Sequence, residues 1–179
     1  MEVRVVAGDI TMFQQVDAIA TLINPEGAWF GGVDFAIRSV AGGLYHEQAL
    51  SELINNGLSD GQVLVARGKH SEHNGLFNDV IFVVDDLEKP VGLLVRVALN
   101  AAKKYGYNEI AFPAMRTGVM LGAYPGEPDA FSTVLAIATS LREFYDENPG
   151  LELIVYFVIY RDTEVERLFL QETRKLLPR

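Results

Sequence analysis

Apolar positions along the chain switch repeatedly between the two-residue period of a strand and the 3.6-residue period of a helix. Residues 2–7 (EVRVVA), 16–23 (VDAIATLI) and 62–68 (QVLVARG) read as strands, with a helical stretch near 34–56 between the second and third. Residues 79–84 (DVIFVV) and 109–114 (EIAFPA) continue the strand series. Between them Val91, Leu94, Val95, Ala98, Leu99 and Ala102 recur at helical spacing and predict a helix near 90–105. Phe131, Val134, Leu135, Ala138, Leu141 and Tyr145 predict another near 128–147. The run LELIVYFVIY (151–160) is too apolar for a sheet edge and is expected to be a central strand. Thr163 and Glu166 stand at capping-box spacing ahead of Val165, Phe169 and Leu176, so the chain is expected to close with a helix. The alternation predicts an α/β sandwich.

Composition narrows this picture. A chain of 179 residues that is 49% hydrophobic, with no repeat, low-complexity tract or Pro/Ser-rich linker, fits one domain over 1–179. The loop GKHSEHNGLFND (68–79) reads as a surface excursion. With 24 acidic and 15 basic side chains the formal charge is −9, which disfavours nucleic acid as a partner. The absence of cysteine excludes disulfides, thiolate metal sites and a cysteine nucleophile, and fits a reducing compartment. No basic leader and no apolar run of membrane-spanning length is visible, so a soluble, cytoplasmic protein without a membrane partner is expected. The sequence leaves the oligomeric state open.

Three segments follow expected strands, where open α/β sheets place their ligand crevices: GDIT (8–11), NPEGAWFGGVD (24–34) and MRTGVMLG (115–122). Two are rich in glycine. Taken singly, such glycines also fit ordinary turns. Together, loop N–H groups leading into a helix N-terminus can hold an anion without lysine or arginine, so an acidic chain can still bind a diphosphate. Neither a G-x-G-x-x-G run nor a Walker loop is present. His70 and His73 flank Glu72 on a loop, but without a further clustered ligand they read as solvated, and no metal or cofactor is expected. His46 falls in a helical stretch and receives no role.

In this order, GDIT, VDAI, a loop asparagine, GGVDFAIRSVAG and IAFPAMRTGV resemble the macro domain family over nearly the whole chain. Members generally read GDIT, then VDAIVNAAN, a glycine run ending GGVDGAI, and later IAFPAISTGVYG. The resemblance implies a three-layer α/β/α sandwich on a mixed sheet of about six strands. It also implies a cleft at one sheet end that takes ADP-ribose or an ADP-ribosylated substrate. Carried over by position, Asp9 would accept from the adenine amino group and Ile10 would offer its N–H. Asn24 would bind the distal ribose hydroxyls. Gly31, Gly32 and Val33 would give N–H groups to the distal phosphate and ribose, with Thr117, Gly118 and Val119 wrapping the diphosphate from the other side. In hydrolytic members the aspartate at the position of Asp34 orients or activates water, which would make Asn24 and Asp34 the catalytic pair.

The departures bear on the distal end. Thr21 replaces the first asparagine of NAAN, Trp29 and Phe30 replace two loop glycines, Arg116 stands where the serine of STG is usual, and Met120 takes the aromatic position after the valine. Trp29, Phe30, Arg116 and Met120 are therefore expected as ligand contacts of altered character, the two rings stiffening and roofing the distal site. The resemblance leaves three readings: an ADP-ribosyl hydrolase needing no metal, a binding module without catalysis, and a scaffold whose pocket no longer binds.

Overall fold

The computed structural model describes residues 1–27, 32–68 and 72–176. Six strands form one mixed sheet in the order β1-β6-β5-β2-β4-β3. These are β1 (Glu2–Ala7), β2 (Val16–Ile23), β3 (Val63–Arg67), β4 (Phe77–Val84), β5 (Glu109–Pro113) and β6 (Ile154–Ile159). Five run parallel, and β3 pairs antiparallel with β4 at one edge. β6 lies between β1 and β5, in keeping with its apolar run, and begins three residues later than the run itself.

The helices are α1 (Val33–Ala41), α2 (His46–Asn56), α3 (Val91–Tyr105), α4 (Ala130–Glu147) and α5 (Thr163–Leu176). The period-two alternation of the strands sorts the core into two halves. Ala18 and Ala20 of β2, Ile81 and Val83 of β4, and Val155 and Phe157 of β6 pack with α3, α4 and α5. Their sequence neighbours Ile19, Phe82 and Tyr156 face the other way, onto Ile37 of α1 and Ala49 of α2. The result is the expected three-layer sandwich.

Two boundaries differ from expectation. The helical stretch at 34–56 is two helices, because Gly42 takes a φ of +60° and its N–H closes α1 on the Arg38 carbonyl. Both pieces pack on the same sheet face, so the apolar spacing runs through the break. The cap of α5 is Asp162, whose Oδ1 accepts from the Val165 N–H at 3.0 Å, and Thr163 is the first helical residue. The parallel strands place the segments after β1, β2, β5 and β6 at one sheet edge, where the site lies.

Candidate functional site

A cleft of about 560 Å³ opens at this edge, between α1 and the loop after β5. Its walls come from Gly8–Thr11 after β1, from Gly32, Val33, Phe35, Ala36, Ser39 and Val40 around α1, from Pro113, Ala114, Thr117 and Gly118, and from Val158, Ile159, Tyr160 and Asp162. The three segments singled out in the sequence thus each contribute to one mouth or adjoin it. The lining is mostly apolar with few polar groups, the character of a small-molecule site.

At one end, Asp9 folds its own turn. The Thr11 N–H and hydroxyl both donate to Asp9 Oδ1, at 2.9 and 2.7 Å. Residues 9–14 form no helix, so Asp9 is a turn residue and not a helix cap. Its second oxygen has no partner among the described residues, and neither does the Ile10 N–H. At the other end, α1 starts at Gly32, whose φ of +55° turns the chain into the helix and which makes no side-chain cap. The N–H groups of Val33 and Asp34 have no acceptor among the described residues. They carry the positive end of the helix dipole, and Gly32 and Val33 line the cleft.

Across the cleft, Thr117 has already used its donors: its N–H and hydroxyl both reach the Ala114 carbonyl, at 3.3 and 2.8 Å. The N–H groups of Gly118 and Val119 have no acceptor among the described residues. Gly118 does not sit in the left-handed region, and a Cβ there would meet no protein atom within 4 Å. Its glycine clears space at the cleft wall and is not demanded by the turn.

Asn24 and Asp34 do not line the cleft. Asp34 sits one residue past Val33 but is buried, turned under α1 toward β2, with Oδ1 3.5 Å from the Thr21 hydroxyl. Burial pushes its carboxyl up to about 7, and the weak Thr21 contact only partly opposes this. A carboxyl titrating near neutrality suits proton transfer. The position of the family's asparagine is thus held by a hydroxyl 3.5 Å from the Asp34 carboxyl.

Arg116 corrects an expectation. It does not contact the cleft: its guanidinium is buried between Asp85 and Glu127, at 5% exposure. The reason is backbone geometry. Arg116 has a φ of +58°, and it points inward while Thr117 beside it faces the cleft. Val119 is exposed and Met120 half-buried, and neither lines the cleft. Trp29, Phe30 and Gly31, and with them the expected roof over the distal site, lie outside the described residues, as does His70. His73 is not a solvated side chain: its Nε2 meets the Tyr45 hydroxyl at 2.8 Å and its Nδ1 accepts from Gly75 N–H. His46 is buried beside Phe82, and burial, with Arg38 nearby, pushes it down to about 4. Among the described residues no group of three His, Asp or Glu side chains is placed to hold a metal ion, and no helix is long and apolar enough to cross a membrane.

Sequence reasoning missed two aromatics on the cleft wall. Tyr160, just past β6, is 62% exposed, with the Arg161 guanidinium 4.9 Å from its ring. Phe35 is 72% exposed on the first turn of α1. Its signal was legible, since GGVDFAI carries phenylalanine where the family motif reads GGVDGAI. Exposed rings on an apolar cleft offer flat surfaces for a base or sugar.

Residues 22–127 match the family model described as Macro domain. An O-acetyl-ADP-ribose deacetylase of Citrobacter rodentium is 33% identical over 172 residues, covering 93% of this chain and 92% of the relative. An O-acetyl-ADP-ribose deacetylase of Enterobacter sp. is 31% identical, covering 94% and 91%. Among solved structures, the Oceanobacillus iheyensis macrodomain with ADP superposes with a TM-score of 0.76 at 23% identity, covering 97% of this chain and 90% of that one. The Trypanosoma brucei macrodomain in complex with ADP gives 0.76 at 23% identity, covering 96% and 68%.

Proposed function

This chain belongs to the macro domain family, and on that premise we propose that its cleft binds ADP-ribose or a close derivative. The observation that carries this reading is that unspent main-chain donors stand on both walls of one cleft, at Val33 where α1 starts and at Gly118, with Asp9 lining the same cleft. Helix-start and loop N–H groups hold a diphosphate without a cationic side chain, which suits a chain of net charge −9. Asp9 Oδ2 is left to accept an amino group, and the exposed Tyr160 ring lies on the same wall.

Two variants test it. Asp9→Ala removes a charged acceptor and is expected to weaken ADP-ribose binding by about 1–3 kcal/mol in a calorimetric titration. Unchanged affinity in a folded variant would remove Asp9 from the site. Gly118→Val fills the open space beside the cleft. It is expected to shift the unfolding free energy by no more than about 0.5 kcal/mol while reducing ADP-ribose affinity at least about tenfold. Wild-type affinity in that variant would place the diphosphate elsewhere.

A second reading, hydrolysis of an ester on the bound ribose, is favoured by the carboxyl of Asp34 and by the deacetylase activity of the 33% identical relative. That reaction requires Asp34, buried one residue past the cleft residue Val33, to meet a water at the bound ribose: the carboxylate then takes a proton from the water, the water oxygen attacks the acyl carbon, and the ribose oxygen leaves with that proton. The products are a carboxylic acid and ADP-ribose, and no redox partner is needed.

A further inference from the structure

Three acidic and basic groups are buried together just outside the cleft, and the binding reading does not use them. Arg116, Asp85 and Glu127 are 5%, 4% and 3% exposed. The contact with Asp85 is two-pronged: Arg116 Nε donates to Oδ2 at 2.9 Å and Nη2 to Oδ1 at 2.5 Å. Nη1 donates to Glu127 Oε2 at 3.0 Å, and the Tyr124 ring lies 5.1 Å from the guanidinium carbon. Burial works against the charge of Arg116, but its bonds to the two carboxylates prevail and hold its pKa above the ordinary arginine value.

Each acidic residue is tied to a different part of the frame. Glu127 Oε1 accepts from the Val91 N–H at 2.7 Å, capping α3 where Pro90 provides no side-chain cap. The Asp85 N–H donates to the Ile23 carbonyl at 2.7 Å, at the end of β2 and one residue before Asn24. Its Oδ1 also accepts from the Leu87 N–H. Arg116 itself holds a left-handed backbone, with a φ of +58°, that a residue with a Cβ keeps only where its surroundings fix it. The next residues, Thr117 and Gly118, are cleft wall.

We propose that Arg116, clasped by Asp85 and Glu127, is a positioning residue that fixes the Thr117–Gly118 wall relative to Asn24 at the end of β2 and so sets the affinity for the distal half of ADP-ribose. Asp85 ties the guanidinium to β2, Glu127 ties it to α3, and the left-handed turn passes that constraint to Thr117 and the N–H group of Gly118. The proposal rests on the binding reading above for its ligand, but its mechanical part concerns the free protein.

Two measurements separate them. In free protein, Arg116→Lys keeps the charge and loses the two-pronged geometry. Amide hydrogen exchange at Leu121 and Ala123, whose N–H groups bond within the loop, is expected to quicken at least about tenfold while α4 and β5 keep wild-type protection. In titrations the same variant is expected to lose affinity for ADP-ribose about tenfold or more, yet to bind AMP, which lacks the distal phosphate and ribose, as wild type does. Unchanged exchange at Leu121 and Ala123, or an unchanged ratio of ADP-ribose to AMP affinity, overturns the proposal, as does equal loss of both ligands. If wild type binds neither ligand, the functional reading fails and the exchange result alone decides the positioning role. Glu127→Gln keeps an acceptor for Val91 while losing the charge toward Arg116. Should Arg116→Lys not fold, this variant is expected to show the same faster exchange and the same selective loss of ADP-ribose, and wild-type behaviour in both overturns the proposal.

Discussion

Replacing Arg116 with methionine is expected to destabilise the fold by about 3–5 kcal/mol, because it leaves Asp85 and Glu127 as buried carboxylates without their shared cation. This is a large share of the roughly 5–15 kcal/mol by which a domain is stable. Urea unfolding of wild type and variant checks it, provided both transitions are cooperative. Adding Asp85→Leu to Arg116→Met removes one stranded charge, and the double variant is expected to recover part of the loss. A single-variant loss below about 1 kcal/mol would mean that solvent reaches the cluster and that it does not brace the loop.

The second large effect is expected at Asp34. If the buried carboxyl moves the proton, Asp34→Asn reduces hydrolysis of O-acetyl-ADP-ribose by at least about 100-fold while ADP-ribose affinity stays within about threefold of wild type. The wild-type rate then rises with pH through about 7, as the carboxyl ionises. The same group makes a stability prediction. Its folded pKa is raised from an unfolded value near 3.8 to about 7. Its contribution is therefore complete below the unfolded value and is lost as pH rises through about 7, by up to about 4 kcal/mol. Asp34→Asn, which cannot ionise, is expected to be more stable than wild type at pH 8 and to lose that advantage near pH 4. Parallel stability profiles for the two proteins from pH 4 to 8 would show that Asp34 is solvated in the folded state. Equal turnover would remove it from the chemistry.

The fold was legible where periodicity and burial coincide. β2, β4 and β6 read as strands because they are apolar on both faces, and their alternate residues fill two separate cores. α3 read as a helix because Val91, Leu94, Val95, Ala98, Leu99 and Ala102 form one buried face. Where one face served two elements the pattern misled: α1 and α2 share the layer beneath β2 and β4, so only Gly42 and Gly43 marked the break. The cap of α5 was placed one residue late because Thr163 and Asp162 both suit a cap, and only geometry shows which oxygen reaches Val165.

At the site, Asp9, Ile10, Gly32, Val33, Thr117 and Gly118 all line the cleft. Side-chain direction was not legible in the sequence. Nothing local in PAMRTGV says that Arg116 turns inward, because its partners lie 31 residues before it and 11 after it. The inward turn of Asp34 toward Thr21 is likewise a tertiary contact, across 13 residues. Phe35 escaped notice although the motif itself carried the signal, because the adjacent pair Trp29 and Phe30 is the more conspicuous departure in the same loop. That pair lies outside the described residues.

Whether the cleft between α1 and the 113–118 loop holds ADP-ribose through main-chain donors is decided by one calorimetric comparison. ADP-ribose is titrated into wild type and into Gly118→Val under the same buffer and salt. Saturable one-to-one binding to wild type is expected, with at least about a tenfold loss in the variant while its fold stays intact. No binding to wild type at millimolar ligand, or equal affinity in both proteins, would contradict this reading of the cleft.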